Sequence, residues 1–563
     1  MTEPLIEPTP TPAPGPVRGA REAPHAAYRR GGWWRDRTFL HDLRDGVLAH
    51  PAKPAVIARD VGQGTTRVLD YAELAALTDR CAGALMALGV LPGDVVAVQL
   101  SNRWELAPLV LGCIRAGVRL CPLVPEYRGR ELEHMLRLTG ARLLITMPGW
   151  KGVPLAEIGL RLAAELPCLD HVVVAGTPDE APPAGALDFT AAFFGTAWEE
   201  RHRPEHELGP DEPFLILFTS GTTGEPKGAL HTQNTLYAPI RAEAEVFGLG
   251  ADLVMSVASI YTHYSGLVQG MLMPLMLGGT MAFQDTWTGP ELLALIDTHG
   301  VTFLYSTPTY VLDLLEARCA RPRRQVTSLR HVVTGSAPVP PHLVEEIREA
   351  FGIRLYALWG MTENGPVTMT RPGDPHDWAA HSDGRPIEGM QVRIDPIPGR
   401  GEADGGRLWV RGPTQCLGYY RREELYATYL DEGGWFNTGD LARSDGNGGI
   451  RITGREKDLV MRRGFPIPVT EVEAVLARHP RIREVAVIGV ADADGDETVC
   501  AVITTASGEP PLLAELRHYL ERAGMTEWFW PERLELTDTL PKTITGKIRK
   551  AELQERYAPT PQD

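Results

Sequence analysis

The sequence predicts an α/β protein with a large N-terminal domain and a small α+β domain at the C-terminus. Three observations predict this. The chain has 563 residues, too many for one compact core. Helix-spaced and strand-like apolar segments alternate from Trp33 onward. The texture then changes near Gly401 and again after Lys457.

Residues 1–32 are rich in Pro, Ala and Arg with few large apolar side chains, and are expected to form a disordered tail. Tyr71 to Leu88 carries Leu and Ala at helical spacing. The turn "GVLPGD" follows, then an apolar strand from Val95 to Leu100. Glu105 to Ala116 is helical, Val118 to Val124 strand-like, and "RELEHMLRLTG" followed by "RLLIT" repeats the theme. Apolar strands alternating with helices imply largely parallel sheets covered on both faces. Gly266 to Phe283 is the most apolar stretch, but Gln269, Pro274 and Gly278-Gly279 interrupt it, so it reads as a buried helix running into a turn. Around Gly401, "GRLWVRGP" and "GGIRITGR" read as short antiparallel strands with glycine turns. In the last ~100 residues, "TEVEAVLARHP" and "LLAELRHYLERAG" read as helices, and "REVAVIGVA" and "TVCAVITTA" as strands.

The 56 basic and 72 acidic residues give a formal charge of −16, which argues against nucleic acid or an anionic membrane as partner. It leaves room for one small anion held in a local site. No secretory signal is read at the N-terminus, and the seven cysteines are scattered without a CxxC or Cys/His cluster. A cytoplasmic protein with reduced thiols and no zinc site is expected.

The most informative stretch is "ILFTSGTTGEPKGALHTQNT" from Ile216 to Thr235. A strand runs into Thr219, Ser220, Gly221, Thr222, Thr223 and Gly224, and Lys227 follows within Pro-Lys-Gly. Glycines let backbone N–H groups approach an anion, hydroxyls add donors, and a lysine adds a point charge suited to phosphate. The pattern is not a Walker A loop. "TSGTTGEPKG" resembles the phosphate loop of the adenylate-forming superfamily, which includes acyl- and aryl-CoA synthetases, peptide-synthetase adenylation domains and luciferases. The other motifs of that superfamily follow in order: "GSAP" (335–338), "YALWGMTENG" (356–365), "WFNTGD" (435–440), "GREKD" (454–458) and "LPKTITGKIRK" (540–550).

The resemblance spans roughly residue 33 to the end. It implies an N-terminal adenylation domain of two α/β layered sheets plus a small β-barrel over 33–455, a hinge at 456–458 around Lys457, and a mobile lid over 459–563. It also implies roles for individual residues. The loop Thr219 to Gly224 with Lys227 would hold the β- and γ-phosphates of ATP. Gly335, Ser336, Ala337 and Pro338 would line the adenine pocket with Trp359, Gly360 and Met361. Thr362 would contact the α-phosphate, and Glu363 would place Mg²⁺, a hard cation that prefers oxygen. Asp440 would bind both ribose hydroxyls, and Arg455 would contact the ribose as well. Lys547 would bridge the α-phosphate and the attacking oxyanion, and His263 would sit beside the acid, although a core histidine fits equally well. Tyr261, Tyr264, Tyr305, Tyr310 and Ser336 form a candidate lining for the acid pocket or a set of core aromatics.

The overall likeness is to the cyclohexanecarboxylate-CoA-ligase-like branch, through "HTQNTLY", "GMTENG" and "DGRPIEGM". Two departures stand out: "THYSG" where that branch has "AHQTG", and "RGFPIPV" where it has "GGENIPV", which sets Arg463 beside the expected pantetheine path. The expected activity is an ATP-dependent aromatic or cyclic carboxylate–CoA ligase. The alternative is an ATP-dependent diazotase, also similar to this branch, which adenylates nitrite and couples it to an aminoaryl acid. The 7 lysines among 56 basic residues suit a GC-rich genome, such as that of an actinomycete with secondary metabolism of that kind. A non-catalytic nucleotide-binding relative would need broken motifs, and Asp440, Arg455 and Lys547 are all in place.

Overall fold

The computed structural model describes residues 22–177, 181–202, 204–219, 226–321, 326–337, 339–397, 405–456, 460–462, 465–467, 469–491, 497–506, 509–542 and 547–558. Ser220, Gly221, Thr222, Thr223, Gly224, Pro338, Lys457, Asp458 and Arg463 lie outside these residues, and so does the tail as far as residue 21. Order begins earlier than Trp33, because a helix spans Glu22–Arg30. Tertiary contacts hold it: Tyr28 packs on Trp34 at 5.4 Å between ring centroids, and Arg29 pairs with Asp36 at 2.8 Å and also with Asp211. A low-propensity segment becomes helical when a folded surface receives its aromatic face.

Two large sheets form the N-terminal part. The nine-stranded sheet runs in the order Arg385–Pro386, Gly365–Met369, Arg354–Met361, His331–Gly335, Phe303–Ser306, Val254–Val257, Thr280–Gln284, Pro54–Asp60, Thr65–Asp70. The six strands from Arg354–Met361 to Pro54–Asp60 are mutually parallel, and antiparallel pairs close the edges. The eight-stranded sheet runs Gly418–Tyr419, Lys227–Thr232, Pro213–Thr219, Arg119–Pro122, Val95–Val98, Leu143–Thr146, His171–Val174, Leu187–Asp188. Its strands are parallel from Pro213–Thr219 onward. The expected covered parallel sheets are therefore present, with strands such as Val95–Val98 buried throughout.

The helices Phe39–Ala49, Tyr71–Ala87, Leu106–Arg115 and Gln233–Phe247 contribute to one continuous apolar core with both sheets, through Phe39, Leu40, Leu74, Leu109, Leu111 and Ile240. Burying each such side chain contributes roughly 1.5–3 kcal/mol. Asp70 caps the helix Tyr71–Ala87 by accepting from the Glu73 backbone N–H at 2.8 Å, and Thr232 caps Gln233–Phe247 through Thr235 at 3.1 Å. The apolar stretch from Gly266 resolves into a helical turn, Tyr264–Leu267, a π-helical turn, Val268–Leu272, and a second α-turn, Met273–Leu277. It reverses at Gly278-Gly279 into the strand Thr280–Gln284.

The small β unit is a four-stranded antiparallel sheet, ordered Gln391–Asp395, Gly406–Arg411, Phe436–Ser444, Ile450–Arg455. Beyond it the C-terminal part is α+β: a three-stranded sheet (Ile482–Ala491, Glu497–Thr505, Arg533–Leu536) with the helices Val469–Leu476 and Leu513–Arg522 on its core of Val472, Leu476, Val487, Val499 and Leu516. Among the described residues no helix is long and apolar enough to cross a membrane.

Candidate active site

Among the predicted residues, Thr219, Gly335 and Met361 end strands and Ser336 and Thr362 directly follow them, where ligand sites of α/β sheets form. The strand Pro213–Thr219 pairs antiparallel with Lys227–Thr232, and Thr219 faces Lys227 at the neck of the glycine-rich hairpin. Lys227 Nζ donates to Tyr429 Oη at 2.6 Å and lies 4.6 Å above that ring. Lys227 is thus held, opposite Thr219, by an aromatic hydroxyl and its ring.

Strands Arg354–Met361 and Gly365–Met369 form a hairpin whose turn carries Thr362, Glu363 and Asn364. Close backbone approach demands glycine at both flanks. A Cβ at Gly360 would lie 2.2 Å from the Gly365 carbonyl oxygen, and one at Gly365, whose φ is +57°, would lie 2.1 Å from Tyr264 Oη. His231, one residue before the Thr232 cap, donates from Nε2 to the Thr362 carbonyl at 2.8 Å. Burial lowers its imidazole to about 4, so the ring is neutral and has one N–H to commit to Thr362. Tyr419 Oη donates to Glu363 Oε1 at 2.8 Å. Burial raises the Glu363 carboxyl, while Tyr419 and the charges of Lys227 and Arg455 pull it back. One buried carboxylate of this kind suits Mg²⁺, which takes one or two carboxylates and completes its shell with water and substrate phosphates.

Asp440 and Arg455 are cross-strand partners in the four-stranded sheet. Asp440 Oδ1 pairs with Arg455 Nε at 3.0 Å, and Oδ2 accepts from Trp359 Nε1 at 3.0 Å. The Trp359 N–H thus helps to fix the Asp440 carboxylate. Ser336 ends the strand His331–Gly335 with φ +68°, a strained conformation for a residue other than glycine and one that recurs at ligand sites. Ser336 and Ala337 are exposed at that strand end.

Lys547 lies beside the short bridge between Lys542 and Ile548. Its charge acts on His263. Desolvation, followed by that charge, lowers the His263 imidazole to about 4, and its Nδ1 has no hydrogen-bond partner among the described residues. The aromatic set divides. Tyr261 packs on Phe283 at 4.6 Å and Tyr310 on Trp287 at 4.6 Å, both as packing groups. Tyr264 packs edge-on against His231 at 5.6 Å, and burial raises the Tyr264 and Tyr305 hydroxyls.

Comparison with known proteins decides the family. The AMP-binding enzyme model matches residues 43–420, and the AMP-binding enzyme C-terminal domain matches 471–547. The chain belongs to the AMP-binding enzyme family. It is similar to the salicyl-AMP ligase / salicyl-S-ArCP synthetase of Mycobacterium tuberculosis, 33% identical over 530 residues, covering 93% of this chain and 92% of the relative. It is 30% identical over 538 residues to the 2-hydroxy-7-methoxy-5-methyl-1-naphthoate–CoA ligase of Streptomyces carzinostaticus, covering 94% and 95%. Among solved structures, ATP-bound MatB from Rhodopseudomonas palustris superposes with a TM-score of 0.80 at 28% identity, covering 93% of this chain and 99% of that one. This AMP-binding enzyme is an ATP-dependent, adenylate-forming ligase.

Sequence reasoning missed four features of this AMP-binding enzyme: His231, Tyr419, Tyr429, and the pair of Glu243 with Gln269. Glu243 had a legible signal. It falls in the helical register of Leu236, Ile240 and Phe247, an acidic residue on an apolar stripe. Gln269 Nε2 donates to Glu243 Oε1 at 3.0 Å, and both side chains are fully buried. Burial raises the Glu243 carboxyl from 4.5 to about 8. The folded state therefore keeps a proton that the unfolded chain releases above about 4.5, and stability contributed at low pH is lost as pH rises toward 8. Glu243→Gln does not titrate. Relative to the parent it is expected to gain about 4 kcal/mol between pH 4.5 and 8, measured by urea unfolding at several pH values. A pH-independent difference would reject a protonated Glu243.

Proposed function

We propose that this ligase activates an aromatic or cyclic carboxylic acid as its acyl-adenylate and passes the acyl group to CoA. The observation that carries the reading is the preorganised pair of carboxylates, Asp440 held at 3.0 Å by both Arg455 and Trp359, and Glu363 held at 2.8 Å by Tyr419. The relatives named for salicylate and naphthoate substrates support an aryl acid.

The carboxylate oxygen attacks the α-phosphorus and pyrophosphate leaves. Negative charge grows on the α-phosphate oxygens and the leaving group, so catalysis rests on positioning and electrostatic stabilisation. Lys547 faces both the acid oxygen and the α-phosphate, Thr362 donates to the α-phosphate, and Lys227 with the loop 219–224 holds the leaving phosphates. Asp440 and Arg455 fix the ribose, and Trp359 covers the adenine. Glu363 would hold Mg²⁺, which supplies charge neutralisation on the phosphates. A neutral His263 places an uncharged ring beside the acid and does not trap it as an ion pair.

The test is pyrophosphate exchange over a panel of aryl acids, followed by thioester analysis with CoA. Exchange that depends on an aryl acid, with thioester on adding CoA, is expected. AMP release that depends on nitrite and an aryl amine, with no carboxylate dependence, would overturn this reading and make nitrite the activated oxyanion.

A further inference from the structure

Two opposite charges of the site are each bound by a tyrosine. Lys227 opens the strand Lys227–Thr232, and Glu363 sits in the turn after the strand Arg354–Met361. Lys227 Nζ donates to Tyr429 Oη at 2.6 Å, and Tyr419 Oη donates to Glu363 Oε1 at 2.8 Å. The Tyr419 side chain reaches both charges, because Lys227 Nζ also lies 5.3 Å from its ring centroid. Lysine and carboxylate are thus committed to tyrosine hydroxyls rather than to each other.

Packing places both hydroxyls. Tyr419 belongs to the short strand Gly418–Tyr419, which pairs with Leu230 and Ala229 on the strand that Lys227 opens. The Cys416 backbone N–H donates to the Glu363 carbonyl at 2.7 Å and ties the same segment to the turn. The Tyr429 ring stands edge-on to Tyr419 at 5.9 Å and stacks on Phe436 at 5.7 Å. Phe436 is buried and opens the strand that carries Asp440. Rings seated in this way lose little entropy when their hydroxyls bond.

A lysine and a carboxylate side by side in a partly desolvated site attract strongly, because the effective dielectric there is well below that of water. Their ion pair would neutralise both charges that Mg·ATP needs, and binding would first have to break it. A phenol avoids this. It accepts from an ammonium or donates to a carboxylate and adds no charge, and the lysine keeps two of its three N–H donors for phosphate. We propose that Tyr429 and Tyr419 are positioning residues that keep Lys227 and Glu363 from pairing with each other in the nucleotide-free enzyme, so that the cation stays available to phosphate and the carboxylate to Mg²⁺. The inference rests on the assignment of Lys227 to the phosphates and Glu363 to the metal. Without the Tyr429 hydroxyl the ammonium turns to Glu363. The apparent affinity for nucleotide then falls in proportion to the fraction of molecules in which the two charges stay apart.

Calorimetric titration with Mg·ATP, with no acid present, tests this. Tyr429→Phe keeps the ring on Phe436 and removes only the hydroxyl, so its unfolding midpoint should match the parent's. It is expected to bind Mg·ATP about tenfold more weakly. In pyrophosphate exchange its KM for ATP should rise by the same factor, with kcat within about twofold of the parent. In a Glu363→Gln background no carboxylate competes for the lysine, and the same substitution should change affinity by less than about twofold. Tyr429 bonds the lysine and not the carboxylate, so a loss that vanishes with Glu363 reports the pairing of the two charges. Equal affinities of Tyr429→Phe and the parent overturn the proposal. A tenfold loss that persists beside Glu363→Gln overturns it as well, and makes Tyr429 a direct contact of the nucleotide. Lys227→Met separates the inference from the assignment beneath it. That variant is expected to bind Mg·ATP more than about tenfold more weakly, and parent-like affinity would remove Lys227 from the phosphates.

Discussion

Lys547→Ala is expected to slow acid-dependent pyrophosphate exchange by about 100-fold or more, with little change in folding. Removing one preorganised group aimed at developing charge typically costs 10²–10³ in rate. No other cation is expected to face the acid oxygen and the α-phosphate together, since Lys227 is engaged at Tyr429 and Arg455 at Asp440. The loss should be confined to adenylation. A synthetic aryl-adenylate offered with CoA already carries the bond that Lys547 helps to make, so thioester formation should stay within a few-fold of the parent. The position of Lys547 beside the Lys542–Ile548 bridge, half-buried, makes a global stability loss from alanine small. Exchange within threefold of the parent would remove Lys547 from the reaction. An equal loss in both half-reactions would make it a structural residue of the C-terminal part.

The same lysine shows what a sequence can carry. Its motif is local, and so are the strands and helices with clean apolar spacing, such as Tyr71–Ala87 and Ile482–Ala491. The resemblance gave Asp440 and Arg455 a shared ribose partner, and the structure pairs the two across neighbouring strands. The contacts that depend on segments far apart in the chain were not legible. Tyr419 reaches Glu363 across 56 positions and Tyr429 reaches Lys227 across 202, through hydroxyls whose sequence neighbours announce nothing. The helix Glu22–Arg30 was hidden for a related reason, because its composition reads as tail and its order comes from docking on Trp34 and Asp211. The division of the tyrosines is likewise tertiary. Tyr261 and Tyr264 are three residues apart, yet one packs on Phe283 and the other on His231.

Asp440→Ala is expected to raise the KM for ATP by about 30-fold. A hydrogen bond to a charged group contributes about 1.5–3 kcal/mol, and 1.4 kcal/mol is tenfold in affinity. The carboxylate is 6% exposed and held from both sides, Oδ1 by Arg455 and Oδ2 by Trp359, each at 3.0 Å. Preorganised in this way, each oxygen keeps a lone-pair direction for a ribose hydroxyl and loses little entropy on binding. The loss in the variant therefore exceeds that of a surface carboxylate, and it also strands the Trp359 N–H. A second readout separates ribose recognition from general damage to the site. The parent should prefer ATP to 2′-deoxy-ATP by about tenfold, and Asp440→Ala should treat the two alike, since the partner of the missing hydroxyl is already gone. If the variant still discriminates against the deoxynucleotide, another group reads the ribose and Asp440 serves only to join Trp359 to Arg455.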